Sequence, residues 1–209
     1  MIVAFLISFA LWAVVHSITA STTVKEKVTG WLGRRPSAGL YRLLYNIFAL
    51  VSFLPAVYFW LQLPDRKLWE ASGVWRGVLT AVGLLGGLGA AYSLIQTDIL
   101  DFMGVKQFFR YVNNEPLEEM EQEMTGRRLT STLVVQGLYA YMRHPLYTFS
   151  MVFLWSRPSY TVKDLIFNTA LTLYFVIGSI YEEGRLIERF GQDYVNYQQE
   201  VPRFVPRPW

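Results

Sequence analysis

The uncharged stretch Gly77-Val-Leu-Thr-Ala-Val-Gly-Leu-Leu-Gly-Gly-Leu-Gly-Ala-Ala-Tyr-Ser-Leu-Ile-Gln-Thr97 decides the fold class of this chain. A helix of this length can cross the hydrocarbon core of a bilayer, which is ~30 Å thick and needs about 20 apolar residues. Residues 1–15 and 43–64 are also uncharged. Over the whole chain only 17% of residues are charged, against roughly 25% in soluble domains. The sequence therefore predicts an all-α, polytopic membrane protein.

Five apolar segments predict about five transmembrane helices, at residues 1–18, 41–62, 76–97, 136–156 and 162–182. The fourth segment contains Pro145, which lacks a backbone N–H, so a helix is expected to begin there. The apolar residues that follow Pro145 are too few to cross a bilayer. The last two segments are therefore expected to form a helical hairpin that turns in or near the far leaflet.

The basic residues predict the orientation of these helices. With five spans, 14 of the 19 lysine and arginine residues fall on one side of the membrane. Because cytoplasmic loops are enriched in these residues, the N-terminus is expected outside and the C-terminus in the cytoplasm. The first segment lacks a basic start and a cleavage site, so it is expected to be a retained helix. The expected location is the cytoplasmic (inner) membrane of a bacterium.

Several classes of site are disfavoured by the sequence. The chain has no cysteine, which excludes disulfides and a thiolate nucleophile. The acidic stretch that begins at Glu115 is interpreted as a solvated cytoplasmic loop, because no histidine or turn pattern frames a cation site. No phosphate-binding glycine motif is present, and neither a metal nor a nucleic acid is expected. The glycines between Gly83 and Gly89 predict a close helix-packing face.

Two polar clusters lie at the ends of the predicted hairpin. One contains Arg143 and His144, and the other contains Glu182 and Glu183. Charged side chains are costly in lipid and are expected to face protein, water or a ligand. An arginine suits a carboxylate, and a histidine can donate or accept near neutral pH. The alternative interpretation makes Arg143 a positive-inside anchor and His144 an interfacial donor.

Glu182 and Glu183 are adjacent on a helix and point about 100° apart. Only one of them is expected to face the site, while the other pairs with Arg185 or Arg189. The polar residues suit a ligand that is part amino acid and part nucleoside. The aromatic residues expected to complete this set are Tyr139, Tyr147, Phe190, Tyr194 and Tyr197. The two C-terminal tyrosines also fit an ordinary interfacial belt.

The order of these motifs carries a family resemblance. Arg143-His144-Pro145-Leu-Tyr147 is followed by Glu182-Glu183-x-x-Leu186-x-x-x-Phe190-Gly-x-x-Tyr194-x-x-Tyr197 and by Val201-Pro-Arg-Phe-Val-Pro206. Together they resemble the C-terminal half of the integral-membrane methyltransferases. This superfamily includes the isoprenylcysteine carboxyl methyltransferases, the phospholipid methyltransferases and NnrU-like proteins. Five further stretches are similar to the bacterial methanethiol S-methyltransferases, and they are His16-Ser17, Tyr41-Arg42, Leu68-Trp69, Asp101-Phe-Met-Gly104-Val-Lys-Gln107 and Phe153-Leu-Trp155-Ser-Arg-Pro158-x-x-Thr161.

The resemblance implies S-adenosylmethionine as the cofactor. It implies a single domain in which residues 136–209 bind the cofactor and residues 1–135 form the acceptor side. Arg143, His144 and Tyr147 would hold the methionine end of the cofactor. The full set of implied cofactor-binding residues is Gln136, Tyr139, Arg143, His144, Pro145, Tyr147, Glu182, Glu183, Leu186, Phe190, Tyr194 and Tyr197.

The resemblance also implies the reaction. The expected acceptor is a small thiol, with methanethiol converted to dimethyl sulfide. His144 is the first candidate for a general base, Asp98 or Asp101 the second, and His16 would line the acceptor entry. The alternatives are that the two aspartates form a solvated helix end and that His16 anchors the first helix.

Two other functions remain open at this point. The same fold could methylate a lipophilic acceptor, such as a prenylcysteine carboxylate or an amino lipid. It could also be a non-catalytic NnrU-like membrane protein. Membrane lipids are expected partners, and no oligomeric state is predicted.

Overall fold

The computed structural model describes residues 1–116, 133 and 135–205. Contacts divide the chain into two units. Of the described residues, unit 1 contains 1–61 and 97–116, and unit 2 contains 62–96, 133 and 135–205. The acidic stretch predicted to be a cytoplasmic loop lies almost wholly outside the described residues. The division of the chain into acceptor and cofactor parts remains a prediction.

Most of the described chain is helical. The helices are α1 (Ile2–Thr19), α2 (Thr22–Leu32), α3 (Arg34–Leu61), α4 (Gly73–Gln96), α5 (Ile99–Met103), α6 (Val105–Val112), α7 (Pro145–Trp155), α8 (Val162–Phe190) and α9 (Gln192–Glu200). A 3₁₀ turn covers Gly137–Ala140, and two short strands are β1 (Lys67–Glu70) and β2 (Ser159–Thr161). These two short strands are present in addition to the predicted helices.

Four of the described helices, α1, α3, α4 and α8, are long and apolar enough to cross a membrane. The predicted fourth span is instead the 11-residue α7, which begins at Pro145 as predicted. Proline suits this first helical position because the amide there has no intrahelical partner. The protein is therefore a multi-pass membrane protein. The count of five spans, the hairpin and the orientation remain predictions.

In unit 1, α1 and α6 both pack against α3. The indole Nε1 of Trp12 on α1 donates to the carbonyl of Ala49 on α3 at 2.8 Å. Gly104 separates α5 from α6 and has a φ of 84°. A side chain there would collide with the backbone at Leu43, so only glycine permits this approach of α6 to α3.

The additional helix α2 was not predicted. It begins after Ser21, whose hydroxyl accepts from the amide of Val24 at 3.4 Å. It ends at Gly33, which has a φ of 88°. A serine cap and a glycine stop are common helix boundaries, but the helix between them is short and carries no fully buried residue.

In unit 2, α7 packs closely against α4. A Cβ added at Gly86 would lie 2.6 Å from the backbone nitrogen of Phe153 and 3.1 Å from the carbonyl oxygen of Phe149. The two backbones approach so closely because Gly86 has no side chain. The predicted glycine packing face is therefore present, and α7 is its partner.

β2 connects α7 to α8, and it pairs with β1, which precedes α4. Trp69 pairs with Tyr160 in antiparallel register, and their rings stack at 5.9 Å. Buried Asn168 of α8 donates to the hydroxyl of Tyr160 at 3.2 Å. The side chain of Thr161 and that of Asp164 form a capping box at the start of α8. These contacts fix where α8 begins.

Substitution of Gly86 tests the α4–α7 contact. Gly86→Ala should lower the free energy of unfolding by about 1–3 kcal/mol, because the added methyl group forces the backbones apart. Gly77→Ala on the same helix is the matched control, since a Cβ there meets nothing within 4 Å. Unfolding in mixed detergent micelles measures both variants. Equal stability of the two variants would contradict the close packing.

Candidate functional site

A buried ion cluster is centred on Glu183 of α8, whose side chain is 3% exposed. Its carboxylate accepts from the Nε of Arg143 at 2.8 Å and from the Nη2 of Arg203 at 2.6 Å. The Nε2 of His144 lies 3.0 Å from it, and the amide of Gln198 donates at 2.9 Å. A buried carboxylate is tolerated only when it is paired and hydrogen-bonded in this way. Glu183 is therefore saturated by protein groups.

The backbone around Arg143 is tied to the segment that follows α9. The amide of Arg143 donates to the carbonyl of Pro202 at 2.9 Å, and the amide of His144 donates to that of Arg203 at 3.0 Å. The guanidinium Nη1 of Arg143 donates to the carbonyl of Val201 at 2.5 Å. Arg143 thus holds this segment in place as well as pairing with Glu183.

Glu182 is in a different environment from its neighbour. Its side chain is 39% exposed, and its carboxylate accepts from the hydroxyl of Tyr147 at 2.9 Å. The Nδ1 of His144 lies 3.7 Å away. Both glutamates therefore lie next to His144, and which of them faces a ligand remains a prediction. Within the described chain, Glu182 pairs with no arginine or lysine, so its charge remains open to a ligand.

Three stacked rings lie beside Glu182. The ring of His144 stacks on that of Tyr147 at 5.4 Å with an angle of 3°. The ring of Tyr147 also stacks on that of Phe175, with centroids 4.9 Å apart and an angle of 9°. A carboxylate next to aromatic rings is a favourable environment for a cation. This arrangement can bind an organic cation without any metal.

The C-terminal tyrosines form part of a hydrophobic core. Tyr194 and Tyr197 are 2% and 6% exposed. The residues that pack with them include Val201, Leu186, Phe190 and Leu133. The hydroxyl of Tyr197 donates to the carbonyl of Tyr139 at 2.6 Å, and burial raises the pKa of Tyr197 to about 12. Tyr197 therefore stays a protonated donor at neutral pH.

The remaining predicted residues near the site lie in the turn before α7 and at the first position of α7. The carbonyl of Gln136 accepts from the amide of Tyr139 at 3.2 Å. Burial, and secondarily the charge of Glu182, raise the pKa of Tyr139 to about 12. Pro145 is buried at the start of α7. Tyr139, Pro145 and the Glu183 cluster thus lie in the same unit.

Asp98 and Asp101 lie in unit 1, where they organise α5 and α6. Asp98 accepts from the amide of Asp101 at 3.2 Å, and its pKa is lowered first by a hydrogen bond from Lys106. Asp101 accepts from the Nη1 of Arg42 at 2.7 Å and from the buried Gln107 at 2.6 Å. These contacts show a structural role for both aspartates. Their catalytic role remains a prediction.

His16 also lies in unit 1, near the end of α1. Its Nε2 is 2.8 Å from the hydroxyl of Tyr45. Its ring stacks on that of Trp12 at 5.1 Å. The histidine therefore joins α1 to α3, and its role at the acceptor entry remains a prediction.

Arg203 and Gln198 belong to the cluster but were not predicted from the sequence. Arg203 was noted only as part of a C-terminal motif. The available signal was the local excess of acidic residues, because Glu182 and Glu183 need cationic partners if either is buried. Gln198 offered no signal of this kind.

The comparisons with known proteins cover almost the whole chain. The family model described as NnrU protein matches residues 4–205. Methanethiol S-methyltransferase 2 of Bradyrhizobium diazoefficiens is 30% identical over 97% of this chain and 72% of that protein. Methanethiol S-methyltransferase of Pseudomonas deceptionensis is also 30% identical, over 94% of this chain and 69% of that protein.

A more distant relative matches a smaller part of the chain. Protein-S-isoprenylcysteine O-methyltransferase of Schizosaccharomyces pombe is 29% identical over 55% of this chain and 51% of that protein. No solved structure matches the chain.

Removal of the buried charge tests the ion cluster. Glu183→Gln should lower the free energy of unfolding by about 3 kcal/mol, because two arginines lose their carboxylate partner. Glu188→Gln is the matched control, since Glu188 is exposed on the same helix. Thermal unfolding followed by circular dichroism compares the two. A Glu183→Gln variant as stable as the control would contradict the role of Glu183 as the centre of the cluster.

Proposed function

The chain belongs to the NnrU family, and from this membership we propose that it is an integral-membrane methyltransferase that uses S-adenosylmethionine. The proposed reaction methylates methanethiol to dimethyl sulfide. The observation that carries the proposal is the similarity, over nearly the whole chain, to proteins named methanethiol S-methyltransferase. The proposed location is the cytoplasmic membrane, with the C-terminus in the cytoplasm.

The Glu182 side of the cluster fits the proposed cofactor. S-adenosylmethionine carries a cationic sulfonium and an ammonium group, and both are attracted to a carboxylate and to aromatic faces. Glu182 is partly exposed and lies beside the stacked rings of His144 and Tyr147. Glu183, in contrast, already has four protein partners. We assign the cofactor contact to Glu182 and a supporting role to Glu183.

When bound, the cofactor supplies a methyl group activated by the positive charge on sulfur. The protein residues then have two tasks, which are to align the acceptor and to exclude water. Glu183 holds His144 through Nε2. His144 can therefore exchange a proton only through Nδ1, which faces Glu182 at 3.7 Å. Nδ1 is the proposed acceptor for the thiol proton.

The second candidate function is methylation of a lipophilic acceptor. The match to a protein-S-isoprenylcysteine O-methyltransferase favours it, although that match covers 55% of the chain. The small thiol is preferred because the matches to the methanethiol enzymes cover at least 94% of the chain. In either case, the groups proposed on the acceptor side are His16, Asp98 and Asp101.

Cofactor affinity distinguishes the proposed role of Glu182 from that of Glu183. Glu182→Gln should weaken binding of S-adenosylmethionine about 10- to 100-fold, because it removes a charged partner of the cofactor. Its thermal unfolding should stay close to that of the wild type, since Glu182 is outside the saturated cluster. Isothermal titration calorimetry in nanodiscs measures the affinity. Wild-type affinity in Glu182→Gln would overturn the assignment of the cofactor contact.

Glu188→Gln provides the control for charge, since it removes an exposed carboxylate from the same helix. It should bind the cofactor like the wild type. Absence of any binding to the folded wild-type protein would contradict the methyltransferase proposal as a whole.

The acceptor is identified by transfer of a labelled methyl group. The purified protein with labelled S-adenosylmethionine should form a volatile thioether from methanethiol and should leave a prenylcysteine analogue unmodified. His144→Gln should abolish transfer because it removes the proposed proton acceptor. Methyl transfer to the prenylcysteine analogue alone would contradict the thiol as acceptor and would support the lipophilic acceptor.

A further inference from the structure

An apolar groove of about 270 Å³ lies in unit 1, between α2 and α3. On α2 it is lined by Val24, Val28 and Leu32, and on α3 by one face that runs from Pro36 to Phe48. This stretch of α3 is ~18 Å long at 1.5 Å per residue. The groove is therefore elongated, which suits a linear chain better than a compact molecule.

The groove leads from a charged helix end into an apolar span. α3 begins at Arg34, and its uncharged stretch starts at residue 43. Leu44 and Phe48 line the groove within that uncharged stretch. An occupant could therefore have its polar end at the start of α3 and its apolar end in the membrane.

The face of α2 that lines the groove has no tightly packed partner. Val24, Val28 and Leu32 are four residues apart and form one apolar stripe, as expected of a helix that buries one face. None of the residues of α2 is buried. Trp31 on the same helix is 85% exposed, as is common for tryptophan at a membrane interface. α2 thus has the properties of an interfacial helix with an unfilled apolar face.

Ser37 adds a polar feature to the groove. It is 1% exposed, and its hydroxyl has no hydrogen-bond partner among the residues that the structure describes. It also lines the groove. A buried hydroxyl without a partner is unfavourable, so a ligand with an acceptor oxygen at this point would stabilise it.

The charge on the two helices that line the groove indicates which ligand fits best. Lys25, Lys27, Arg34 and Arg35 lie on α2 and at the start of α3, and Glu26 is the acidic residue among them. Basic clusters next to a membrane helix attract anionic lipid headgroups. We propose that the groove binds an acyl chain of an anionic phospholipid. Its ester carbonyl accepts from Ser37, and its phosphate lies among the basic side chains.

Spin-labelled phosphatidylglycerol in nanodiscs tests this site, with spin-labelled phosphatidylcholine as the comparison. The wild-type protein should immobilise the anionic probe at least threefold more strongly than the neutral one. Leu40→Trp fills the groove and should remove this difference, because Leu40 lines it. Leu50→Trp is the matched control on the same helix, where Leu50 is 70% exposed, and it should preserve the difference.

Two further variants test the contribution of the basic side chains and that of the Ser37 hydroxyl. Arg34→Gln combined with Arg35→Gln should reduce binding of the anionic probe to the level of the neutral one. Ser37→Ala adds no atoms that could disturb the packing. It should weaken binding of the anionic probe about three- to tenfold. Equal binding of both probes by the wild type, or wild-type binding in Leu40→Trp and Ser37→Ala, would overturn the site.

Discussion

The structure of unit 2 depends on the neutralisation of one buried charge. The carboxylate of Glu183 bonds to side chains from the turn before α7, from α9 and from the segment that follows α9. The turn before α7 and the C-terminal segment from α9 onward therefore meet at one carboxylate of α8. An ionised carboxylate cannot stay in an apolar interior without such partners, so the requirement of Glu183 for donors also fixes the positions of Arg143 and Arg203.

The same requirement explains why two adjacent glutamates differ. In the sequence Glu182 and Glu183 look equivalent, and only the rotation of α8 separates them. One side chain faces the cluster and is satisfied by cations, whereas the other contacts Tyr147 and stays partly exposed. Their separation by about 100° was predicted, but their actual partners were not, because pairing depends on tertiary approach rather than on helical spacing.

Features with a strong local cause could be predicted from the sequence. The start of α7 at Pro145 follows from the missing amide hydrogen, and the close approach at Gly86 follows from the missing side chain. The β1–β2 ribbon was missed because β1 is four residues long and exposed throughout, so it shows no alternation. α2 was missed because it is short and only one face of it is apolar. The adjacent glutamates indicate a need for cationic partners, but nothing local to them selects Arg203 as one of these partners.

The contact at Gly86 has a mechanical consequence for the cluster. Because backbone meets backbone at Gly86, no side chain lies between the two helices at that point to absorb a displacement. His144 immediately precedes the first residue of α7. A shift of α4 would therefore be transmitted along a stiff element to the imidazole.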